Sequence, residues 1–196
     1  MFLPRQGLDR QAVVQAALRL IEEKGYAAFS MGELAKSLHV RPASLYNHIE
    51  NLESLYTEVG LAAISQMVAE EEKAIQNQTG DAAMFALAHA YRDFARTHYE
   101  LYKVIMSFQR SKNHVLEIAA GRIVEPIFKA FSAYSLSRDQ EIHWQRILRS
   151  MMHGFIAHEQ NGGFSHFPAD RDETYQIGIQ CIIDGLKTAG KDTHEN

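Results

Sequence analysis

Apolar residues recur at helical spacing in the first part of the chain and predict a helix that ends near residue 25. Val13, Ala17 and Leu20 lie three or four positions apart, which places them on one face of a helix. Asp9 precedes this run and is a favourable N-cap, while Gly25 follows it and is typical of a helix C-terminus. One face of this first helix is therefore expected to be buried.

Two shorter helices are predicted next, with a tight turn between them. Ser30 and Glu33 have the spacing of a capping box and open a helix of about two turns that ends near Leu38. Residues 39–41 leave room only for a turn, and Pro42 suits the first turn of a third helix, where its missing N–H group costs nothing. Two short helices joined in this way form a helix-turn-helix.

Helical periodicity continues through the rest of the chain, and no segment shows the two-residue alternation of a strand. The predicted class is therefore all-α, with an N-terminal three-helix helix-turn-helix domain (1–52) joined by a long helix to a C-terminal helical domain (53–196). Further helices are expected at 51–76, after Asp81 as an N-cap, at 101–108, and from Asn113 onward with a bend at Pro126. Two more are expected at 137–160, which begins with a capping box of Ser137 and Gln140, and at 170–188, which begins in a similar way with Asp170 and Glu173.

The composition is that of an ordinary globular protein, and the charge does not indicate what kind of molecule the protein binds. The chain is 46% hydrophobic and 22% charged, with a formal net charge of −4. Residues 1–55 hold six basic and six acidic residues, so charge alone does not indicate nucleic acid; a small DNA footprint nevertheless needs only a few cations. Because no apolar run approaches the roughly 20 residues of a spanning helix and no signal peptide is recognisable, a cytoplasmic protein without a membrane partner is expected.

Other candidate chemistry is sparse. Cys181 is the single cysteine, and apolar neighbours such as Ile182 predict that it is a buried small hydrophobic residue. His89 and Asp93 lie one helical turn apart, but the chain has no zinc-ligand motif, no paired cysteines and no nucleophile elbow. No catalytic residue, metal site or cofactor is therefore predicted. A helical-bundle enzyme or small-molecule carrier without DNA binding is the alternative class of function.

Two stretches of the first 55 residues carry a family resemblance, EEKGYAAFSMGELAKSL (22–38) and VRPASLYNHI (40–49). With the Leu-Tyr-x-His sequence after the turn, they resemble the TetR family of bacterial transcriptional regulators. Farther on, RSMMHGFIAHEQNGGF (149–164) is similar to the His-Gly-Phe and Gly-Gly-Phe pattern of the branch with a Trp-His-Gly-type C-terminal domain. The resemblance implies a homodimeric, ligand-responsive repressor whose partners are a palindromic double-stranded DNA operator and a small-molecule effector.

The resemblance also implies a set of DNA-contacting residues. Arg41 and Asn47 would lie nearest the base edges, where arginine suits guanine and asparagine suits adenine. Tyr46 and His48 would hydrogen-bond phosphates on the two sides of the groove, and Ser30 would do so at the start of the second helix. The complete set, which includes the small residues that keep the front of the helix narrow, is Ser30, Arg41, Pro42, Ala43, Ser44, Tyr46, Asn47 and His48.

Each of these roles has an ordinary alternative. Tyr46 would also serve as a half-buried core aromatic, because tyrosine has an apolar body and a polar tip. His48 would also serve as a packed imidazole, and Arg41 as a solvated surface charge.

The sequence departs from the family pattern at three positions. His39 stands in the turn where a glycine is usual, and histidine tolerates a positive φ better than most residues. Gly32 removes a side chain that often contacts bases in relatives. Leu52 replaces a lysine that commonly touches phosphate, which predicts a shallower dependence of DNA affinity on salt.

The resemblance assigns dimerisation to the last two long helices, packed against their symmetry mates as a four-helix bundle. Apolar stripes with small residues are suited to close approach of this kind, although an ordinary core would use the same residues. The predicted interface residues are Ile147, Phe155, Ile177, Cys181 and Gly185.

The middle helices are the candidate effector chamber. Aromatic and methionine side chains with a few polar tips suit a mostly apolar small molecule, but plain core packing explains the same composition. The predicted ligand-binding residues are Phe85, Tyr91, Phe94, His98, Tyr102, Met106, Phe128, Trp144, Met151 and Met152.

Overall fold

The computed structural model describes residues 8–108 and 114–192, and within these ranges it contains ten α-helices, two 3-10 turns and no strand. The predicted all-α class is confirmed. None of the helices in the described ranges combines the length and the apolarity that crossing a membrane requires. The helices are α1 (Arg10–Lys24), α2 (Met31–Ser37), α3 (Pro42–Leu45), α4 (Leu52–Ile75), α5 (Gly80–Thr97), α6 (Tyr99–Phe108), α7 (His114–Gly121), α8 (Glu125–Phe131), α9 (Arg138–Gln160) and α10 (Arg171–Asp192).

The described chain forms two compact units, and the first contains residues up to 66 together with residues 98–120. It therefore comprises α1, α2, α3, the first part of α4, α6 and almost all of α7. Its core is built from the inward stripes that the helical spacing predicts. The most deeply buried side chains include Val13, Ala17, Ile21, Leu34, Leu45, Leu55 and Val59.

The ends of α1 follow the sequence prediction, whereas the start of α2 follows it only in part. Asp9 accepts a backbone N–H of the first turn at 2.7 Å, and Gly25 ends α1 with a φ of +87°. At α2, the Ser30 hydroxyl oxygen accepts the Glu33 N–H at 3.2 Å, as a capping box requires. The Glu33 carboxylate, however, binds the Lys24 ammonium group. Only the bond to the Ser30 hydroxyl oxygen is therefore formed, because the Glu33 carboxylate is held by Lys24.

The second unit contains residues 67–97 and the described residues from 121 onward, which supply the rest of α4 together with α5, α8, α9 and α10. The predicted capping box at α9 is confirmed, since Ser137 and Gln140 each accept the other's backbone N–H. The buried core of this unit includes Met84, Leu87, Phe94, Phe131, Leu148, Met152 and Ile179.

The predicted cap of α5 is wrong. The helix begins at Gly80, so Asp81 already lies inside its first turn. The carboxylate of Asp81 instead accepts the Tyr134 hydroxyl at 3.0 Å and binds the Lys187 ammonium group. Tertiary partners therefore occupy a side chain that the local pattern assigned to capping.

The continuous helix predicted from Asn113 to beyond Phe128 is also wrong. Within the described residues, α7 and α8 are separate helices with the 3-10 turn Arg122–Val124 between them, while Asn113 lies outside the described residues. Pro126 stands in the first turn of α8. Proline therefore starts a helix here, where it needs no N–H partner, and does not bend a longer one.

Cys181 was expected to be buried, and in the chain it is exposed. Ile179 and Ile183, two positions away on either side, are fully buried in α10. Residues two positions apart lie about 200° apart around a helix, so they face opposite directions. Apolar neighbours in the sequence were therefore the wrong guide to the environment of this thiol.

Candidate nucleic-acid interface

A Schellman turn ends α2 and leads into α3. His39 adopts a φ of +55°, its N–H donates to the Lys36 carbonyl at 3.2 Å, and the Val40 N–H donates to the Ala35 carbonyl at 3.0 Å. This is the position where glycine is usual in such turns. The structure confirms that histidine takes the left-handed conformation at this position and that the turn is kept.

The helix α3 is short, and turns extend it. Arg41 is its N-cap with extended backbone, and Pro42 occupies the first turn, as predicted. Beyond Leu45, the His48 N–H donates to the Leu45 carbonyl at 2.9 Å and the Ile49 N–H to the same carbonyl at 3.1 Å. Leu45 and Ile49 are buried, so both face inward and anchor the segment.

We call residues 41–48 the recognition segment. Apart from Leu45, its side chains are at least partly accessible to solvent. Arg41, Pro42, Ala43 and Asn47 are exposed, and Ser44 and His48 are half-buried. Tyr46 is 53% exposed, so it is not the core aromatic of the alternative interpretation. All seven predicted DNA-contacting residues of the segment are therefore exposed or half-buried.

The charges around the recognition segment leave two cations available. Hydrogen bonding to Lys24, together with the charges of Lys24 and Lys36, lowers the pKa of Glu33. Arg41 and Lys36 are exposed and form no ion pair within the described part of the chain. Because the Glu33 carboxylate is paired with Lys24, it leaves the exposed Lys36 available to an anionic partner, and Arg41 is exposed as well. Lys36 was missed by the sequence reasoning, since its exposure depends on how α2 packs.

Ser30 lies exposed at the start of α2 with its oxygen accepting the Glu33 N–H. A hydroxyl that accepts one hydrogen bond still carries its own hydrogen as a donor. The capping bond is therefore compatible with the predicted phosphate contact.

Polar contacts within the first unit join α1 and the 3-10 turn that follows it to α6 and to His98, the residue before α6. His98 Nδ1 contacts the Glu22 carboxylate, and His98 Nε2 lies 3.3 Å from Gln66 Nε2 on α4. The Glu100 carboxylate accepts the backbone N–H of Tyr26 at 2.8 Å. Sequence reasoning placed His98 among ligand-binding residues and missed Glu22, Gln66 and Glu100, which lie far apart along the chain.

The predicted effector residues are divided between the two units. His98, Tyr102 and Met106 belong to the first unit, and the other seven belong to the second. Of those seven, Tyr91, Phe94 and Met152 are almost completely buried, and Phe85, Phe128, Trp144 and Met151 are half-buried.

The predicted dimer residues fall into an exposed group and a packed group. Ile147 and Ile177 are 48% and 57% exposed, and Cys181 is exposed as well. Gly185 faces Trp144 so closely that a Cβ atom there would lie 2.3 Å from the indole ring. Phe155 is half-buried and stacks beside Phe164 with ring centroids 4.7 Å apart. Gly185 and Phe155 therefore already have partners within their own chain.

The motif at 149–164 builds a buried ion-pair cluster that sequence reasoning did not foresee. Arg92 on α5 is 1% exposed and lies between the rings of Phe155 and Tyr175, 4.8 and 4.5 Å from their centroids. Its guanidinium donates to both carboxylate oxygens of Glu159, at 3.1 and 2.8 Å. Gly163 allows the chain to turn against His158, since a Cβ there would lie 2.6 Å from the imidazole. The cluster joins α5, α9 and α10.

Two family models match the sequence. Residues 13–59 match the model for bacterial regulatory proteins of the tetR family, and residues 84–182 match the model for a tetracyclin repressor-like C-terminal domain. The description of the second model does not name the Trp-His-Gly branch, so that part of the resemblance stays a prediction.

Known proteins resemble the chain over nearly its full length. The HTH-type transcriptional regulator YobS of Bacillus subtilis, whose own role is uncharacterised, is 31% identical over 185 residues, covering 93% of this chain and 95% of YobS. A protein of unknown function from Rhodococcus sp. RHA1 superposes with a TM-score of 0.80 at 19% identity, covering 95% of this chain and 100% of that one. BioQ, solved with its natural double-stranded DNA operator, superposes with a TM-score of 0.65 at 23% identity, covering 92% of this chain and 98% of BioQ. At these identities the two structures show the shared fold alone.

Proposed function

We propose that this chain, which belongs to the TetR family and is a DNA-binding transcriptional regulator, is a ligand-responsive repressor. It binds a palindromic operator as a homodimer, and a small, mostly apolar effector releases it. Residues 1–52 read the DNA, and residues 53–196 hold the effector and the partner subunit. The family and its relatives are transcription regulators, which confirms the prediction that the chain is not an enzyme.

The observation that carries the proposal is the outer edge of the recognition segment. Leu45 and Ile49 anchor the segment in the core, while Arg41, Tyr46 and Asn47 project from it into solvent. Arginine and asparagine are the side chains that form bidentate bonds with guanine and adenine in a major groove. Tyrosine beside them supplies a phosphate contact that fixes register.

The remaining DNA contacts are assigned by the same placement. His48, half-buried at the end of the segment, and Ser30, exposed at the start of α2, bind phosphates. Pro42, Ala43 and Ser44 keep the entry of the segment narrow.

A second copy of the chain is part of the proposal. One short recognition segment reads too few base pairs for useful specificity, and a twofold dimer doubles the site. Ile147 on α9 with Ile177 and Cys181 on α10 provide exposed apolar surface on the helices that the dimer would use. Phe155 and Gly185, the other two residues of the proposed interface, also contact Phe164 and Trp144 within their own chain.

The effector acts through α4, because this single helix supplies residues to both units. A ligand among the predicted effector residues of the second unit would shift α4 and change the separation of the two recognition segments in the dimer. Tyr91, Phe94 and Trp144 supply the apolar and aromatic surroundings for a mostly apolar molecule.

The experiment is a selection of bound sequences from random duplexes, followed by affinity measurements on the selected site. A palindromic consensus is expected. Asn47→Ala should weaken binding by about 1–3 kcal/mol and relax the sequence preference at one position of each half-site. Gln76→Ala, which removes an exposed amide from the second unit, is the matched control and should bind like the wild type.

The salt dependence of binding separates base readout from phosphate contact at Arg41. If Arg41 reads guanine, Arg41→Ala relaxes specificity, whereas a pure phosphate contact would reduce the salt slope by about 0.9 per contact. Weak binding without any selected sequence would contradict the proposed function, and so would loss of affinity in Gln76→Ala equal to that in Asn47→Ala.

A further inference from the structure

A carboxyl group without a hydrogen-bond partner is buried in the second unit. Glu71, in the later part of α4, is 1% exposed, and its Oε2 atom has no hydrogen-bond partner among the described residues. Buried polar atoms are almost always hydrogen-bonded, so an orphaned carboxylate oxygen requires an explanation.

A second orphaned acceptor lies in the second unit, on α9. The side-chain oxygen of Gln145 on α9 is buried and also has no hydrogen-bond partner among the described residues. Arg149 lies one turn further along α9, on the same face as Gln145, and its positive charge acts on Glu71. This part of α9 therefore lies within electrostatic range of Glu71, and no hydrogen bond or ion pair within the described ranges joins Glu71 to either residue.

The carboxyl group works against folding. Burial, reinforced by the charges of Glu70 and Glu72 and opposed by Arg149, raises the pKa of Glu71 to about 8. A raised carboxyl pKa means that the folded state loses stability as the pH rises from about 4.5 through 8. An apolar side chain of similar size would avoid this cost, so packing alone does not account for Glu71.

Resting on the proposed function, we propose that Glu71 is the polar anchor of the effector site and that the effector carries a protonated amine on an apolar body. Glu71 Oε2 and Gln145 Oε1 are both acceptors, and an ammonium group supplies several N–H donors together with a compensating charge. Met67 and Val68, four and three residues before Glu71 on the same face of α4, are buried and apolar.

The test uses three phenylalkyl probes that differ only in the head group: 4-phenylbutylamine, 4-phenylbutan-1-ol and 4-phenylbutanoate, with shorter and longer homologues of each. Calorimetric titration at pH 7 measures the affinity for the wild type, Glu71→Gln and Glu72→Gln. Glu72 is the matched control, since it is the next residue on α4 and its carboxylate pairs at the surface with Lys129.

At one chain length or more, the amine should bind the wild type more tightly than its alcohol and its acid. Glu71→Gln should lose about 10-fold or more of that affinity, because a hydrogen bond to a charged group is removed, and Glu72→Gln should keep it. Amine binding should release protons to the buffer, because Glu71 must ionise to pair with the ammonium group. Without ligand, Glu71→Gln should raise Tm by several degrees at pH 7 to 8.

Three outcomes would overturn the assignment of Glu71: no amine exceeds its alcohol and acid at any length, Glu71→Gln binds amines as well as the wild type does, or Glu71→Gln lowers Tm. Operator binding measured on the same preparations separates this proposal from the proposed function. Release of the operator by an alcohol or an acid would agree with the repressor function but contradict an amine as the effector. Absence of any selected operator would remove the repressor itself.

Discussion

Replacing Glu159 by alanine tests whether the buried Arg92 cluster holds the second unit together. The side chains of Arg92 and Glu159 are 2% and 9% exposed and share two hydrogen bonds. Removing one partner of a buried ion pair costs about 3–5 kcal/mol, because the other charge stays buried without compensation. Asp172 remains 3.0 Å from Arg92 and keeps part of the compensation, so the lower end of this range is expected.

The pKa of Glu159 leads to the same magnitude. Burial alone raises this pKa, but hydrogen bonds from Arg92 and Arg96 outweigh burial and lower it from 4.5 to about 2. One pKa unit corresponds to about 1.4 kcal/mol, so the lowered pKa is worth about 3 kcal/mol. Because the folded pKa lies below the unfolded value, this stabilisation is present above pH 4.5 and disappears as the pH falls toward 2.

Urea unfolding followed by circular dichroism measures the effect. At pH 7, Glu159→Ala should lower the free energy of unfolding by about 3 kcal/mol and Tm by about 6–12 °C. The control is Glu141→Ala, whose pair with Arg138 is at the surface, and it should stay within about 0.5 kcal/mol of the wild type. A loss below about 1 kcal/mol at pH 7, or a loss that is as large at pH 2.5 as at pH 7, would refute the reasoning.

Further predictions concern the dimer surface and two glycines. If the proposed dimer forms, Ile177→Asp should yield monomers in analytical ultracentrifugation, whereas Ile118→Asp, at a similarly exposed isoleucine of α7, should sediment as the wild type does; monomers in both variants would contradict the proposed surface. Gly60→Ala should destabilise the first unit by about 1–3 kcal/mol, because the new Cβ would lie 2.2 Å from the Phe108 ring. Gly121→Ala meets nothing within 4 Å and should stabilise by about 0.5–1 kcal/mol; equal unfolding midpoints for the two alanine variants would contradict this packing.

Local sequence predicted the features that depend on neighbouring residues. Spacing and caps correctly predict α1 and α9, because a helix and its capping bonds involve residues within about four positions. The same holds for the turn at His39. The family motif added the DNA-contacting role, which periodicity alone does not contain.

The sequence misled where a distant partner competes for a side chain. The Glu33 carboxylate binds Lys24 instead of completing the capping box, and the Asp81 carboxylate binds Tyr134 and Lys187 instead of capping α5. In each case a cationic side chain from elsewhere in the chain holds the carboxylate. Such competition cannot be read from a single segment.

The sequence by itself determined that this protein is all-helical and carries a helix-turn-helix, because those features arise from short-range periodicity and helix caps. Only the tertiary structure decided that Arg92 pairs with Glu159, 67 residues away, and that Glu71 is buried with an orphaned oxygen. Pairing and burial of charges depend on which helices pack together. Helix packing is a long-range property, and amphipathic spacing shows that a face is buried without showing what buries it.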